Sequence, residues 1–307
     1  MPTSHQLTID GVSCAFHIIG DPSLKQPIFY HHGFPSSGRE ALFVEEFANQ
    51  KGLSLIAIDR PGMGESEFIP TASFRSYANA VSVIGEHLGL SSYSHLAVSG
   101  GVPFALHAAA ATKTKSIQLC LVSGMGPYEV GSPAFSSMVG RNRTLLRIAQ
   151  NYPLIGYGIG MLVASGWRTL PGLSLKWLSA GLTEADQALL STPNIQKETL
   201  ANARSGCGGW GRPAAQELIT LAQRWDPSVL SIPSTTPILL FHGDRDRYVP
   251  VAVAEQTARL LGDRASLTVF PREGHFLVLR RYPEILDAMT SQLRTLTAEC
   301  TKPLDAL

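Results

Sequence analysis

Short apolar runs that stop at glycine, proline or polar residues alternate through this chain with longer stretches of helical spacing. That alternation admits few folds besides a sheet covered by helices. The runs cover 7–9, 14–19, 27–30, 53–58, 94–98 and 117–122, with two more late in the chain at 237–242 and 266–270. Most are apolar at successive positions, the pattern of strands buried on both faces. Asp10-Gly11, between the first two runs, suits a two-residue hairpin. Helices are predicted over 38–50, 74–88, 102–112, 251–261 and 284–297. In the third, Ala105, Ala108, Ala109 and Thr112 place small side chains at three- and four-residue spacing, so that helix can approach the sheet closely.

The alternation lapses over 127–212. This stretch holds several short helical patterns, including 136–151 and 184–190, and ends in Gly206-Cys207-Gly208-Gly209-Trp210-Gly211. It carries eight basic residues against four acidic ones. We read it as a helical lid inserted at the mouth of the sheet, which divides the chain into a core domain (1–126 and 213–307) and a cap (127–212).

Composition removes other classes. In 307 residues, 25 Lys and Arg balance 24 Asp and Glu, so there is no basic excess to suggest a nucleic-acid surface. A hydrophobic content of 44 % excludes a disordered chain. Cys14, Cys120, Cys207 and Cys300 lie far apart, without metal-knuckle or redox-pair spacing. Met1-Pro2-Thr3-Ser4-His5 lacks the features of a signal peptide, and the greasiest stretch, 153–166, falls short of the roughly 20 residues of a membrane span. A cytoplasmic protein acting on a small molecule is expected, with no nucleic-acid partner and no membrane span. The sequence does not fix its oligomeric state.

The strongest local signal is Ala97-Val98-Ser99-Gly100-Gly101, where a strand runs straight into a helix through a serine. Such a turn is sharp and raises the hydroxyl at the sheet edge, provided the residues two away on either side are small. The N–H of Gly100, at a helix N-terminus, is placed to bind a developing oxyanion. The plainer reading makes Ser99 a helix N-cap. A serine nucleophile needs a base, and the base needs an orienting acid. His275 follows the strand at 266–270 and Gly274. His242 is its main rival, but it falls at the edge of a strand, where packing explains it. Asp246 follows the strand at 237–242 and is preferred to Asp244, which lies nearer the strand and suits a turn cap or an arginine pair. His31-His32-Gly33-Phe34-Pro35 follows a strand expected beside the serine strand. Gly33 permits a tight turn that presents the Phe34 N–H as the second oxyanion donor. Asp59-Arg60-Pro61-Gly62-Met63-Gly64-Glu65-Ser66 lacks Walker spacing and GxGxxG, so it reads as a rigid turn near the site rather than a phosphate loop.

Taken in order, His32-Gly33-Phe34-Pro35, the 59–66 turn, Ala97 to Gly101, Gly243-Asp244-Arg245-Asp246 with Val249-Pro250, and Gly274-His275-Phe276 resemble the α/β-hydrolase fold family. The resemblance implies an eight-stranded, mostly parallel sheet with a variable lid, and Ser99, Asp246 and His275 match the nucleophile, acid and base. It also sets Gly100 and Phe34 as the oxyanion donors. Ala97 stands where the usual motif has glycine. Serine at 99, where members that open epoxides or carbon–halogen bonds carry aspartate, argues against those activities. The expected chemistry is hydrolysis of an ester or lactone through an acyl-enzyme, with no cofactor or metal. Carbon–carbon bond hydrolysis, iminopeptidase-like cleavage and a non-catalytic ligand receptor are alternatives on the same residues. A free amine would need an acidic cluster, for which Glu184, Asp186 and Glu198 are candidates. Met125, Tyr128, Phe135, Met138, Trp167 and Trp210, with Phe34, are candidate pocket residues for an apolar substrate; the bland alternative is that they form the lid's own core.

Overall fold

The Asp10-Gly11 turn takes left-handed values at both positions, φ 52° and 80°, which matches the twist of a two-residue hairpin. It joins β1 (Thr3–Ile9) to β2 (Val12–Gly20) as an antiparallel pair. The computed structural model describes residues 3–126, 133–224 and 227–300. β3 (Pro27–His31), β4 (Ser54–Ile58), β5 (Tyr93–Val98), β6 (Ser116–Val122), β7 (Ile238–Gly243) and β8 (Ala265–Phe270) complete an eight-stranded sheet in the order β1-β2-β4-β3-β5-β6-β7-β8. β2 runs antiparallel to β4, and every pairing from β4 onward is parallel.

Side chains of the central strands alternate between two cores, as the period of two requires. Ile28, Tyr30, Leu96, Val98, Cys120 and Val122 face one cluster, which includes Ala48 of α1 (Glu45–Lys51). Phe29 and Ile56 face α2 (Phe74–His87), while Ala97, Leu119 and Leu121 face α3 (Gly101–Ala111). The central strands are therefore covered on both sides. The single helix expected over 38–50 is split into a 3-10 turn, Gly38–Val44, and α1. Asp59 Oδ1 accepts from Gly38 N at 2.7 Å and pins that first turn to the end of β4.

Between β6 and β7 lies the inserted helical region: α4 (Pro133–Ser136), α5 (Gly140–Asn151), α6 (Pro153–Thr169), α7 (Pro171–Ser179), α8 (Glu184–Leu190), α9 (Pro193–Gly206) and α10 (Arg212–Leu221). Pro153, Pro171 and Pro193 each open a helix, where the missing N–H costs nothing. The greasy 153–166 stretch is most of α6. Among the described residues, no helix is long and apolar enough to cross a membrane. α11 (Val251–Leu261) falls where expected. The last helix, α12 (Leu277–Cys300), starts earlier than the predicted 284 and runs through Pro283. Leu277 and Val278 before the proline, and Ile285, Leu286 and Met289 after it, all bury in the first core cluster. At about 1.5–3 kcal/mol for each large side chain, that burial outweighs the roughly 3 kcal/mol that an internal proline costs.

Candidate active site

β5 ends at Val98 and α3 begins at Gly101, so the chain passes from strand to helix within two residues. Ser99 makes the turn with φ 50°, a left-handed value that strains a residue carrying a Cβ. Backbone bonds hold it there. Ser99 N donates to Val122 O at 2.9 Å, and Ser99 O accepts from Met125 N at 3.0 Å. A Cβ on Gly101 would lie 2.1 Å from His31 O, so only glycine lets α3 start this close to β3. Gly100, not Ser99, is the N-cap of α3, and it makes no side-chain cap bond. The serine hydroxyl is committed elsewhere: Ser99 Oγ lies 3.1 Å from His275 Nε2.

The other imidazole nitrogen, His275 Nδ1, is 2.7 Å from Asp246 Oδ2. With Nδ1–H donating to the carboxylate, Nε2 presents its lone pair to the hydroxyl. Asp246 is fixed by its own loop, since Oδ1 accepts from Tyr248 N at 2.9 Å and Val249 N at 3.0 Å. Asp244 serves a separate purpose: its Oδ1 accepts from Arg272 N at 2.6 Å, tying together the loops after β7 and β8. His242 bonds to Val249 O at 2.6 Å and also stands 3.4 Å from Asp246 Oδ2, so it contributes to the site as well as to packing. Burial disfavours the charge on Asp246. The His275 imidazole and the His242 hydrogen bond outweigh it and hold the carboxyl well below the usual range. Burial likewise opposes an imidazolium at His275, but the charge and hydrogen bond of Asp246, helped by Asp186 and Glu40, raise its pKa above the ordinary histidine value.

Two of those helpers carry no motif. Asp186, on α8, is fully buried and accepts from His275 N at 2.9 Å. A Cβ on Gly274 would fall 1.9 Å from its Oδ2, so the glycine before His275 makes room for a lid carboxylate. The three acidic residues considered for a free amine are not brought together. Asp186 serves His275, Glu198 pairs with Arg39 at 2.8 Å, and Glu184 is exposed at the start of α8. The acidic side chain that does line the space beside Ser99 is Glu40.

The strand after which Phe34 lies, β3, is hydrogen-bonded to β5 in parallel, as expected. On β3 itself, His31 turns into the core, where Nδ1 meets Tyr77 Oη and Nε2 meets His95 Nδ1, both at 2.9 Å. Gly33 does not adopt a positive φ. It is needed for close approach instead: a Cβ there would sit 3.3 Å from Glu40 Oε2 and 3.6 Å from Ser99 Cβ. The rigid turn at 59–66 supplies what orients the Phe34 amide. Arg60, fully buried, donates through Nη1 to His32 O at 2.6 Å and through Nη2 to Gly33 O at 2.7 Å. In a trans peptide the N–H points opposite to the preceding carbonyl, so a Gly33 carbonyl drawn to Arg60 would turn that amide the other way. The Phe34 amide and Gly100 are neighbours, with a Cβ on Gly100 falling 3.4 Å from Phe34 N.

Arg60 is itself clamped by Glu217 of α10 through two bonds of 2.6 Å. Removing one partner of a buried ion pair strands the other, at a cost of about 3–5 kcal/mol. Glu217→Leu is therefore expected to destabilise the protein by about that amount in urea unfolding. A loss below about 1 kcal/mol would show that the pair is dispensable.

Above Ser99 lies an apolar cavity of about 140 Å³, bounded by lid and core residues that include Phe34, Leu146, Trp167, Leu218 and Leu221. Met125, Met138 and Trp167 line it, as the sequence suggested. Phe135 is not part of its wall and packs behind it with Leu146, Ala149 and Leu218. Trp210 is 72 % exposed on the outer surface, in the glycine cluster before α10. Tyr128 lies outside the described residues. The Tyr248 ring stacks on the His275 imidazole at 5.3 Å, and its Oη accepts a hydrogen bond from Arg141 of α5, which links base and lid.

Comparisons with known proteins agree with this architecture. A non-heme haloperoxidase of Rhodococcus erythropolis is 26 % identical over 266 residues, 81 % of this chain and 85 % of that protein. A thermophilic esterase from Thermogutta terrifontis superposes with a TM-score of 0.67 at 20 % identity, covering 95 % of this chain and 98 % of that one. A bromoperoxidase from Bacillus anthracis gives 0.68 at 16 %, covering 96 % and 100 %. At such identities the structural likenesses establish the fold. The family model described as the alpha/beta hydrolase family matches residues 28–288, from β3 into α12. The chain belongs to the alpha/beta hydrolase family.

Proposed function

We propose that the protein is a serine hydrolase that cleaves a carboxylic ester or lactone of a small to medium, largely apolar substrate. The observation that carries this reading is the unbroken chain Ser99 Oγ–His275–Asp246, at 3.1 and 2.7 Å, opening onto an apolar cavity. In the proposed reaction, His275 Nε2 takes the proton as Ser99 Oγ attacks the carbonyl. The N–H groups of Gly100 and Phe34 receive the oxyanion. The imidazolium then returns its proton to the leaving alcohol, giving an acyl-serine. Water, deprotonated by the same nitrogen, attacks the acyl carbon, and Ser99 Oγ leaves with the proton. Asp246 stays ionised throughout and holds the tautomer.

The division into a core, 1–126 and 213–307, and a cap, 127–212, is part of this proposal. α10, at the start of the second core segment, contributes Ala214, Leu218 and Leu221 to the cavity wall. Assay of a p-nitrophenyl ester series beside an aminoacyl naphthylamide and a β-diketone tests the substrate class. Turnover of the esters is the expected result, and turnover confined to either of the others would contradict it.

The pH dependence follows from the imidazole. Protonated His275 cannot accept the serine proton, so kcat/KM is expected to fall as pH drops through the folded-state pKa. That value is raised by Asp246, so the acid limb lies above the ordinary histidine value. A kcat/KM profile across the neutral range reads it directly, and a limb below the ordinary value would contradict the assignment.

A further inference from the structure

Among the described residues, α8 contributes nothing to the wall of the apolar cavity, yet it brings a carboxylate to the base. We infer that Asp186 is a positioning residue for His275: it holds the main chain of the base from the lid side and sets a second negative charge beside the imidazole. Hydrolysis would then depend on two carboxylates, one from the core and one from the lid. The inference rests on the ester-hydrolase reading above and names a further residue for that reaction.

Three observations carry it. The first is where the side chain goes. Asp186 is the third residue of α8, whose cap, Thr183, accepts from Asp186 N at 3.1 Å. An acidic residue at that position ordinarily reaches back to the amide of its own cap. Asp186 Oδ2 instead accepts from His275 N at 2.9 Å, 89 residues away, and Oδ1 finds no hydrogen-bond partner among the described residues. The placement is fixed locally. Gln187 donates to Ser179 O and Leu182 O at 3.0 and 3.2 Å, tying the start of α8 to the turn before it.

The second observation is Gly274. Its φ is not positive, so backbone conformation does not call for glycine there. Close contact does: a Cβ would fall 1.9 Å from Asp186 Oδ2 and 2.8 Å from Thr183 Oγ1. The residue before the base is thus fitted to the first turn of α8.

The third is that the acceptor is an ion. Asparagine could make the same bond to His275 N. Burial raises the pKa of Asp186 and Asp246 adds to the rise, while the charge of His275 acts the other way. That charge exists only when the imidazole is protonated. Proton transfer from Ser99 creates it, so the Asp186 carboxylate favours the transition state over the resting enzyme. The other groups around His275 are Asp246, with His242 behind it, Glu40, and Tyr248, whose Oη is bonded to Arg141. Asp246 acts most strongly on the imidazole, so removing the Asp186 charge should give a smaller effect of the same sign.

The test is the pH profile of ester hydrolysis by the full-length protein and its Asp186→Asn variant, which keeps an acceptor for His275 N and loses the charge. The acid limb of kcat/KM is expected to move to lower pH, with kcat falling by about 3- to 30-fold. KM should hardly change, because Asp186 is fully buried and touches no substrate. Asp186→Ala, which removes bond and charge together, should lower kcat further. Gly274→Ala, which drives a methyl into the carboxylate, should shift the limb in the same direction and carries the test if Asp186→Asn does not fold. An unmoved acid limb in the folded variant, or a loss confined to KM, would overturn the inference. If Asp246→Asn still shows its own loss on the same ester, the ester-hydrolase reading stands without it. Failure of the unsubstituted protein to hydrolyse any ester would overturn the parent reading, and this inference with it.

Discussion

Ser99→Ala is expected to lower turnover of an ester by about 10⁴- to 10⁶-fold while leaving the fold unchanged. Among the described residues the hydroxyl's one side-chain hydrogen bond is the 3.1 Å approach to His275 Nε2, so its removal deletes the attacking atom and little else. The strained backbone at φ 50° is held by Val122 O and by Met125 N and Val102 N, none of which involves the side chain. Melting curves of the variant and the parent should nearly coincide. Residual catalysis would come from the Gly100 and Phe34 amides, which act without the serine by stabilising attack of water. A variant that retained a tenth of the parent rate would show that the reaction runs through some other group.

Asp246→Asn carries the next largest effect, a fall in kcat of about 10⁴-fold. Asparagine fills the same space, and its carbonyl can still accept from Tyr248 N and Val249 N, so the loop should hold. Its amide would then donate to His275 Nδ1, which forces the proton onto Nε2 and leaves no lone pair for the Ser99 hydroxyl. The charge that raises the His275 pKa is removed at the same time. The acid limb of kcat/KM should therefore move to lower pH, a readout that a merely loosened structure would not give. Asp244 cannot take over, because it is bound to Arg272 N on the neighbouring loop. A fall of less than about tenfold, or an unmoved acid limb, would contradict the role assigned to Asp246.

What was legible in the sequence was local. Asp10-Gly11 specified its hairpin, and each apolar run became a strand, because short-range turn chemistry and period-two burial decide those features. That Ser99, Asp246 and His275 would meet was legible because each stands just past a strand, and parallel strands deliver such residues to one edge. Side chains whose partners lie far away in the chain were not legible. Arg60 and Glu217 are 157 residues apart, and neither shows a pattern that names the other. Glu40 sits in a helical stretch where a carboxylate would normally face solvent, and only the packing of the Gly33 loop turns it toward Ser99. Asp186 looked like one more acidic residue of the lid until α8 set it against His275 N. Among the aromatic candidates, Trp167 reached the cavity and Trp210 the surface, a difference set by how the lid helices pack rather than by residue type.

Covalent labelling with a fluorophosphonate, followed by mass mapping of the digested protein, tests the chemistry most directly, because a serine made nucleophilic by its neighbours displaces the probe's fluoride and is phosphonylated. One adduct per chain, on Ser99, at a rate that falls below the acid limb of kcat/KM, is the expected result. An adduct on another residue, or no adduct on a protein that hydrolyses esters, would contradict it.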